Sequence, residues 1–456
     1  MIKKTASVLT LGALSISVLL SACGAGTSST SNPASGKPEE TTKSAVTAKP
    51  AENVKLVFWD ENAGPDRTPF LQEIINRFQT KNPNITVEYV GIPFSSAKQK
   101  YDVAIASNDT PDIGGVTGIW ISDFAAKGTL LALDPFFDKW NDKDKITKSL
   151  IDYNRTLVPD KKLYQIPGTM YMDVFWYRSD LIKQAGLKPP TTWDDFFTDS
   201  EKLTDTGKNQ FGYTIRGGSG SINQLTTAMY AYSGVEHYFD AKGKATVNDP
   251  KNLEFMKKYV GMYKKYTPTS DITNAYKEMV ATFDTGTAAM VQHNFGSYNN
   301  HLQSLGEGKF ASTILPKSNT GKTIVAPTAN GYGIFKNSKH PQEAWEFFKF
   351  ILSSESQAYW NEKIGQMPIN IDALQSDYVK KSQHIQDGAN VMADKNTVVL
   401  DVPIYLPDYS SILVQTLEPN FQKVMGGTMT AEVFLDSWAS SMEKAKSEYD
   451  KSSIKK

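Results

Sequence analysis

The sequence predicts an α/β protein in which parallel strands alternate with helices and the folded part forms more than one lobe. Three observations support this prediction: a strand–helix–strand order at the start of the folded part, a length of 456 residues, and an apolar share of 40%. A chain of this length exceeds what one hydrophobic core usually supports. We therefore expect at least two lobes, each a mainly parallel sheet flanked by helices.

The first predicted elements lie between residues 54 and 116. An apolar run over residues 54–59 predicts a strand, and apolar side chains at helical spacing after Pro69 predict a helix over residues 69–78. Residues 85–89 and 112–116 predict two more strands, with a helix over residues 97–107 between them. Ligands bind at the carboxyl ends of strands in such sheets, so the loops after Trp59 and Val116 are candidate binding loops.

The N-terminus has the pattern of an export signal. Lys3 and Lys4 precede an apolar run over residues 8–20, which is too short to span a bilayer. The run ends in Leu20-Ser21-Ala22-Cys23-Gly24, which resembles the bacterial lipobox, in which the cysteine is lipidated. We expect a lipoprotein signal peptide over residues 1–22 and a lipid anchor on Cys23.

The segment that follows Cys23 is poor in large apolar side chains. Residues 23–52 consist mainly of Ser, Thr, Ala, Gly and Pro and contain no aromatic residue. Such a segment cannot bury enough apolar surface to offset its chain entropy. We expect a disordered tether that joins the lipid to the folded lobes.

The composition argues against several functional classes. The 49 basic side chains balance the 49 acidic ones, so no net charge favours nucleic acid. One cysteine and five histidines without metal-ligand spacing provide no ligand set for zinc or an iron–sulfur cluster. We therefore expect no metal, no cofactor, no nucleic-acid partner, and no membrane contact except through the lipid.

A series of short motifs in fixed order extends along the folded part. They include Leu56-Val57-Phe58-Trp59, Asn82-Pro83-Asn84, Thr110-Pro111-Asp112, Phe175-Trp176-Tyr177-Arg178 and Asn330-Gly331-Tyr332-Gly333. Together they are similar to the sugar-type extracellular solute-binding proteins of ABC importers, the wider family of maltose-binding protein. The resemblance covers the chain from about residue 53 to the C-terminus.

The resemblance implies a two-lobe periplasmic-binding-protein fold, also called a Venus flytrap, with a hinge of several chain crossings. Residues 53–168 plus 316–368 would form the N-terminal lobe, and residues 169–315 plus 369–456 the C-terminal lobe. The implied function is a monomeric receptor at the outer face of the cell membrane. It would capture a sugar or oligosaccharide between the lobes and deliver it to an ABC permease, without catalysis.

A neutral sugar offers hydroxyl groups and apolar ring faces, so its receptor needs carboxylates, amides or Arg beside aromatic rings. Candidate residues of the N-terminal lobe are Asp60, Asn62, Arg67, Trp120, Asp123, Asn330 and Tyr332. Helix capping and solvated polarity compete with ligand contact at the first three positions. Core packing competes at Trp120, since its neighbours are apolar.

The other candidates lie near the first hinge crossing and in the C-terminal lobe. They are Tyr171, Asp173, Arg216, Gly217, Asn294, Phe295, Tyr298 and Tyr409. Relatives usually present a tryptophan after the strand that precedes Asn294, whereas this chain has Phe295 and Tyr298. Which ring stacks on the ligand therefore stays open.

Two alternatives to a sugar receptor also stay open. A surface-anchored carbohydrate-active hydrolase needs only two suitable carboxylates, which this chain could supply. A binding protein for another solute, such as a polyamine, would need a surplus of carboxylates in the site.

Overall fold

The computed structural model describes residues 52–454, and this part of the chain contains eleven strands and eighteen α-helices. The predicted signal peptide, Cys23 and the tether up to residue 51 lie outside the described residues. The strands are β1 Val54–Asp60, β2 Ile85–Gly91, β3 Ile113–Thr117, β4 Ile166–Tyr171, β5 Asp173–Arg178, β6 Phe211–Thr214, β7 Ala288–Asn294, β8 Phe310–Thr313, β9 Thr323–Val325, β10 Thr328–Ile334 and β11 Thr397–Val399.

The helices lie between the strands and follow the last strand. They are α1 Thr68–Lys81, α2 Phe94–Ser107, α3 Gly118–Ala126, α4 Asp134–Phe137, α5 Lys148–Thr156, α6 Ser179–Gln184, α7 Trp193–Lys202, α8 Ser221–Ser233, α9 Pro250–Gly261, α10 Tyr276–Asp284, α11 Tyr298–Leu305, α12 Pro341–Ile351, α13 Ser354–Ile364, α14 Asp377–Lys381, α15 Gln383–Ala393, α16 Tyr409–Ile412, α17 Glu418–Met425 and α18 Ala431–Ile454. None of the helices within residues 52–454 combines the length and the apolar character needed to cross a membrane.

The first sheet has five strands in the order β2-β1-β3-β10-β4. β1 pairs in parallel with both β2 and β3, which confirms the predicted strand–helix–strand arrangement. β10 pairs antiparallel with β3 and β4, so one strand of this sheet runs opposite to the others. The carboxyl ends of β1, β3 and β4 therefore lie at the same edge of the sheet.

The second sheet has four strands in the order β6-β7-β5-β8. β7 is parallel to β6, whereas β5 is antiparallel to its two neighbours, so again one strand runs opposite to the rest. Only Met172 separates β4 of the first sheet from β5 of the second. The chain returns from β8 to the first sheet through β10, and β9 forms a small separate sheet with β11. The residue bounds of the two lobes stay a prediction.

Helix α1 shows why the first sheet is covered as the sequence predicts. Pro69 lies in its first turn, where the missing backbone N–H costs no helical hydrogen bond. Leu71, Ile74 and Phe78 fall on one face and are buried against the sheet. Helix α12 buries Trp345 in the same core.

Aromatic packing also anchors the helices beside the second sheet. Thr192 and Asp195 form a capping box at the start of α7, and this helix places Phe196 parallel to Phe175 of β5, with ring centroids 4.9 Å apart. Helix α18 is also anchored by an aromatic side chain. Its Trp438 is fully buried and donates a hydrogen bond of 2.7 Å from Nε1 to the Tyr238 hydroxyl.

Candidate functional site

A cavity of about 210 Å³, which we call the central cavity, is lined by side chains from both sheets and their loops. Its first wall contains Asn62, Asp66, Arg67, Phe94 and Asn330, which lie in a strand of the first sheet or in a segment that follows one. Its second wall contains Arg216, Gln224, Tyr276, His293 and Asn294, from segments beside the second sheet. Tyr171 and Asp173, where the chain passes between the sheets, also line the cavity.

The position of the cavity agrees with the rule that ligands bind at the carboxyl ends of parallel strands. Eight of the fifteen predicted site residues line it. They are Asn62, Arg67, Tyr171, Asp173, Arg216, Asn294, Asn330 and Tyr409. The structure therefore brings residues together that are up to several hundred positions apart in the sequence, although ligand contact at each stays a prediction.

The first wall is built around Arg67, which immediately precedes α1. Its guanidinium lies 4.9 Å from the centroid of the Trp360 ring. Burial opposes the charge of Arg67, but the neighbouring Tyr171, Asp60 and Glu61 outweigh this effect and raise its pKa. Arg67 therefore remains a cation whose charge is compensated from within the protein.

Asp60 and Glu61 lie behind this wall rather than in the cavity. Asp60 accepts a hydrogen bond of 2.7 Å from the Tyr89 hydroxyl, and Glu61 accepts one of 3.2 Å from the side-chain amide of Asn330. Burial, together with the adjacent Asp60, raises the pKa of Glu61 to about 8. Asp60 does not line the central cavity, because its carboxylate supports the first wall from behind, and its contact with a ligand stays a prediction.

Close packing around Glu61 explains a glycine in β3. A Cβ atom at Gly115 would lie 1.7 Å from Oε2 of Glu61. No side chain can therefore occupy position 115 unless Glu61 moves. Gly115 therefore makes room for a buried carboxyl group.

The second wall is organised by a chain of amide contacts that begins at Asp173. Gln292 donates through Nε2 to Asp173 at 2.9 Å and to the carbonyl oxygen of Gln224 at 3.0 Å. Gln224 donates in return to the carbonyl oxygen of Gln292. Burial raises the pKa of Asp173, while the hydrogen bond from Gln292 opposes that rise. The side chain of Gln224 is thus held at the cavity surface by reciprocal hydrogen bonds.

Arg216 is positioned by a buried aspartate and by its own loop. Asp271 accepts the backbone N–H of Ile215 at 2.6 Å, which fixes the segment that leads to Arg216. Nε of Arg216 donates to the carbonyl oxygen of Ser219 at 2.6 Å, and the guanidinium lies 5.9 Å from the Tyr276 ring centroid. Burial lowers the pKa of Arg216, in contrast to Arg67.

Gly217, another predicted site residue, does not line the central cavity. A Cβ atom at Gly217 would lie 2.4 Å from the carbonyl oxygen of Asp271. The glycine is therefore needed where two backbone segments pack closely, not for approach of a ligand.

Each wall presents one aromatic ring that is backed by a second ring. On the second wall, Tyr276 stacks on His293 with centroids 5.7 Å apart and an angle of 3°. On the first wall, Phe94 stacks on Trp120 with centroids 5.8 Å apart and an angle of 13°. Phe94 and Tyr276 line the cavity, and their partners fix the rings in place.

Trp120 packs against Phe94 and does not line the central cavity, so its contact with a ligand stays a prediction. Its side chain is only 2% exposed and packs against Tyr101 and Phe124 as well as Phe94. The competing interpretation as a core residue applies. Asp123 likewise lies outside the cavity, since it pairs with Lys98 at 2.7 Å and with Lys127 at 2.9 Å.

Three further predicted aromatics also lie outside the central cavity. Phe295 is fully buried and packs edge-on against His384, with centroids 5.7 Å apart. Tyr298 also stacks on His384, with ring centroids 4.3 Å apart. It borders a neighbouring groove. Tyr332 packs edge-on against Phe58 in the core of the first sheet. None of the three lines the central cavity, and their contact with a ligand stays a prediction.

Two polar atoms of the second wall are buried without a hydrogen-bond partner. They are Oε1 of Gln224 and Nδ1 of His293. Burial, with the nearby charge of Arg216, lowers the pKa of His293 well below its ordinary value, so the ring is neutral at physiological pH. A buried acceptor and a buried imidazole nitrogen without partners are costly unless a ligand or water satisfies them. The second wall is therefore prepared for polar groups of a ligand.

Several cavity residues were not predicted from the sequence: Phe94, Tyr153, Asn223, Gln224 and Tyr276. Phe94 follows the carboxyl end of β2, so the rule that selected the loops after β1 and β3 could also have indicated it. Gln224 lies in the first turn of α8, directly after the predicted Arg216 loop. No local pattern distinguishes Tyr276 from a core residue. Among residues 52–454, no group of three or more His, Cys, Asp or Glu could hold a metal ion.

Comparison with known protein sequences gives a consistent result. The family described as bacterial extracellular solute-binding protein matches residues 64–358. The arabinooligosaccharide-binding protein of Bacillus subtilis (strain 168) is 26% identical over 378 residues, which cover 77% of this chain and 83% of that protein.

Solved structures share the arrangement of the two sheets. The ABC substrate-binding protein Lmo0181 from Listeria monocytogenes, in complex with cycloalternan, matches with a TM-score of 0.74 and 21% identity, covering 87% of this chain and 100% of that chain. Maltose-bound MalE3 of T. maritima matches with a TM-score of 0.74 and 20% identity, covering 86% and 99%. These matches show that the chain adopts the predicted two-lobe α/β fold.

Proposed function

The chain belongs to the bacterial extracellular solute-binding protein family, and from this membership we propose that it captures a sugar or oligosaccharide and delivers it to an ABC permease. The observation that carries the proposal is the composition of the central cavity. Phe94 and Tyr276 supply ring surfaces to a cavity that also presents amide and guanidinium groups, as recognition of a neutral sugar requires. The relative from Bacillus subtilis is named for an arabinooligosaccharide, which supports the same ligand class.

The charges of the cavity support a neutral solute rather than a polyamine. Asp66 and Asp173 supply two acidic groups, and Arg67 and Arg216 supply two basic groups. A polyamine carries several positive charges, and its site would need an excess of carboxylates to offset their desolvation. The balanced cavity offers no such excess.

The proposed mechanism is capture by closure of the two lobes. A ligand that contacts both walls binds the closed arrangement more tightly than the open one and shifts the population towards it. Met172, between β4 and β5, belongs to one connection about which the lobes would move. We expect no catalysis, because Asp173 already accepts a hydrogen bond from Gln292 and the role of the cavity is to hold an intact solute.

The proposed location is the outer face of the bacterial cell membrane, with diacylated Cys23 as the anchor. Two acyl chains hold a protein firmly to a bilayer, whereas one holds it weakly. Cys23→Ala should move the protein from the membrane fraction to the medium. Retention of that variant in the membrane fraction at high salt would contradict the anchor.

Calorimetric titration with neutral oligosaccharides tests the receptor proposal. We expect one-to-one binding of at least one series among arabino-, malto- and chito-oligosaccharides, and no binding of spermidine. Chromatography of the same mixtures after prolonged incubation should recover the sugar intact. Binding of spermidine alone, or conversion of the sugar to shorter products, would contradict the proposal.

A further inference from the structure

A second hollow, which we call the side groove, adjoins the central cavity. Its volume is about 700 Å³, and it lies between the start of α1, helix α11, the end of α13 and helix α14. Asp66, Arg67 and Gly296 line both the groove and the central cavity. The two hollows therefore meet at these three residues.

Gly296 leaves the junction without a side chain. A Cβ atom at this position would lie 2.2 Å from the side-chain amide of Gln366, so the backbone is packed too closely to carry one. The N–H of Gly296 donates to Oδ1 of Asn294 at 2.9 Å, which fixes the segment next to the cavity. A ligand that extends past Asn294 thus meets backbone rather than a bulky side chain.

The groove has the two kinds of surface that bind sugars. Phe70 and Tyr298 provide half-buried aromatic rings, and Asn300 and Gln303 provide amides on α11. The ring of Tyr298 stacks on His384 with centroids 4.3 Å apart and an angle of 20°. Burial lowers the pKa of His384 to about 4, so its ring is neutral at physiological pH and holds Tyr298 without adding charge.

The charges of the groove also balance. Its acidic residues are Asp66, Glu362 and Asp377, and its basic residues are Arg67, Lys363 and Lys381. Three positive groups against three negative groups favour a neutral ligand over an anion or a cation. The groove and the central cavity therefore suit the same chemical class.

From this continuity we infer that the side groove is a subsite for the later units of an oligosaccharide whose first unit occupies the central cavity. This inference rests on the proposed function and specifies its ligand as a chain rather than a single sugar. Pockets that enclose a whole small ligand usually have volumes of about 300–1,000 Å³. The central cavity alone is smaller than that range, whereas the groove falls within it.

Titration with a ladder of sugar lengths tests the inference. The purified full chain is titrated with one, two, three and four units of each arabino-, malto- and chito-oligosaccharide series, for the wild type and for Phe70→Ala, Tyr298→Ala and Gln303→Ala. We expect wild-type affinity to rise with length. The ratio of tetrasaccharide to monosaccharide affinity should fall about tenfold in the two aromatic variants and severalfold in Gln303→Ala.

Phe136→Ala is the matched control. Phe136 is another half-buried phenylalanine of the first lobe, and it lines a separate surface groove of about 830 Å³ that shares none of the residues lining the central cavity. Its removal should leave the length dependence unchanged. Gln303 is exposed, so its variant remains informative even if Tyr298→Ala disturbs packing around His384.

The outcomes separate the inference from the proposed function. No binding of any series would contradict the proposed function and the subsite with it. Binding with equal wild-type affinity for all lengths would overturn the subsite and leave the proposed function intact. The same would follow if the groove variants kept the wild-type length dependence.

Discussion

The two walls of the central cavity contain the same kinds of groups but support them differently. Each has one arginine and one stacked ring pair: Arg67 with Phe94 on Trp120, and Arg216 with Tyr276 on His293. The charge of Arg67 is compensated by Asp60 and Glu61 and its pKa is raised, whereas burial lowers the pKa of Arg216. The same residue types therefore have different electrostatic environments in the two walls.

The rings that stack on Phe94 and Tyr276 also differ between the two walls. Trp120 is a core residue with no polar role in the cavity, while His293 keeps Nδ1 buried without a partner. Both sides of the cavity nevertheless keep buried polar atoms without a partner: Nε of Arg67 and the Tyr171 hydroxyl on one side, and Oε1 of Gln224 and Nδ1 of His293 on the other. We infer that a ligand takes polar contacts from both walls.

The first prediction compares the two rings of the first wall and has the largest expected effect. Trp120→Ala should lower the free energy of unfolding by about 3–5 kcal/mol, because it leaves a void in the core. Phe94→Ala should change stability less and weaken sugar binding about tenfold. Thermal or denaturant unfolding beside calorimetry measures both. A stable Trp120→Ala variant that fails to bind sugar would restore Trp120 as a ligand contact.

The second prediction removes the compensated arginine. Arg67→Met leaves buried Asp60 and Glu61 without their cation, so the free energy of unfolding should fall by about 3 kcal/mol. Adding Asp60→Asn should recover part of that loss, because the buried carboxylate left without its cation is then replaced by a neutral amide. Denaturant unfolding of the single and double variants is the measurement. Equal stability of wild type and Arg67→Met would show that the guanidinium does not stabilise the first wall.

The third prediction removes the arginine whose charge is disfavoured by burial. Arg216→Met should weaken sugar binding about tenfold or more, while the free energy of unfolding changes by no more than about 1 kcal/mol. This opposite response to the same substitution would sharpen the contrast between the walls. If Arg216→Met instead lowers the free energy of unfolding as much as Arg67→Met and still binds sugar with wild-type affinity, the two arginines do not have the different roles that we assign to them.

The fourth prediction concerns pH. The folded protein keeps the proton of Glu61 up to a pKa of about 8, whereas the unfolded chain releases it near the ordinary value of 4.5. Stability should therefore fall as pH rises from 4.5 to 8, with this group contributing up to about 1.4 kcal/mol per pH unit. Glu61→Gln should remove that contribution and flatten the profile.

Asp271 provides the matched group beside the second sheet. Burial raises its pKa to about 7, so the slope that it contributes should end about one pH unit earlier. Unfolding measured from pH 4.5 to 9 on both wild type and Glu61→Gln distinguishes the two groups. An identical slope for both proteins would mean that Glu61 is already ionised in the folded state.

The sequence predicted the architecture, and about half of the predicted site residues line the central cavity. Loops after parallel strands were identifiable from local patterns, and they led to Asn62 and Arg67. Tertiary packing determines which of the two rings, Trp120 or Phe94, lines the cavity. The local hydrophobicity of the sequence cannot predict this. Both rings follow strands of the same sheet.

Long-range packing explains the remaining differences. Phe295 was expected to face the ligand, but Gly388 of α15 packs against its ring, and a Cβ atom there would lie 2.4 Å from Cζ of Phe295. That contact joins segments that are distant in the chain and have no shared local pattern. Tyr276 was missed for the same reason, since only its contact with His293 shows that it faces the cavity.

The central claim is that one sugar unit lies in the central cavity beside Phe94 and Tyr276 and takes polar contacts from both walls. A crystal structure with an oligosaccharide that binds in the calorimetric screen tests this claim most directly. We predict sugar hydroxyl groups within hydrogen-bond distance of Gln224, His293 and Arg216. A sugar bound outside the central cavity, or one that contacts only one wall, would contradict the account.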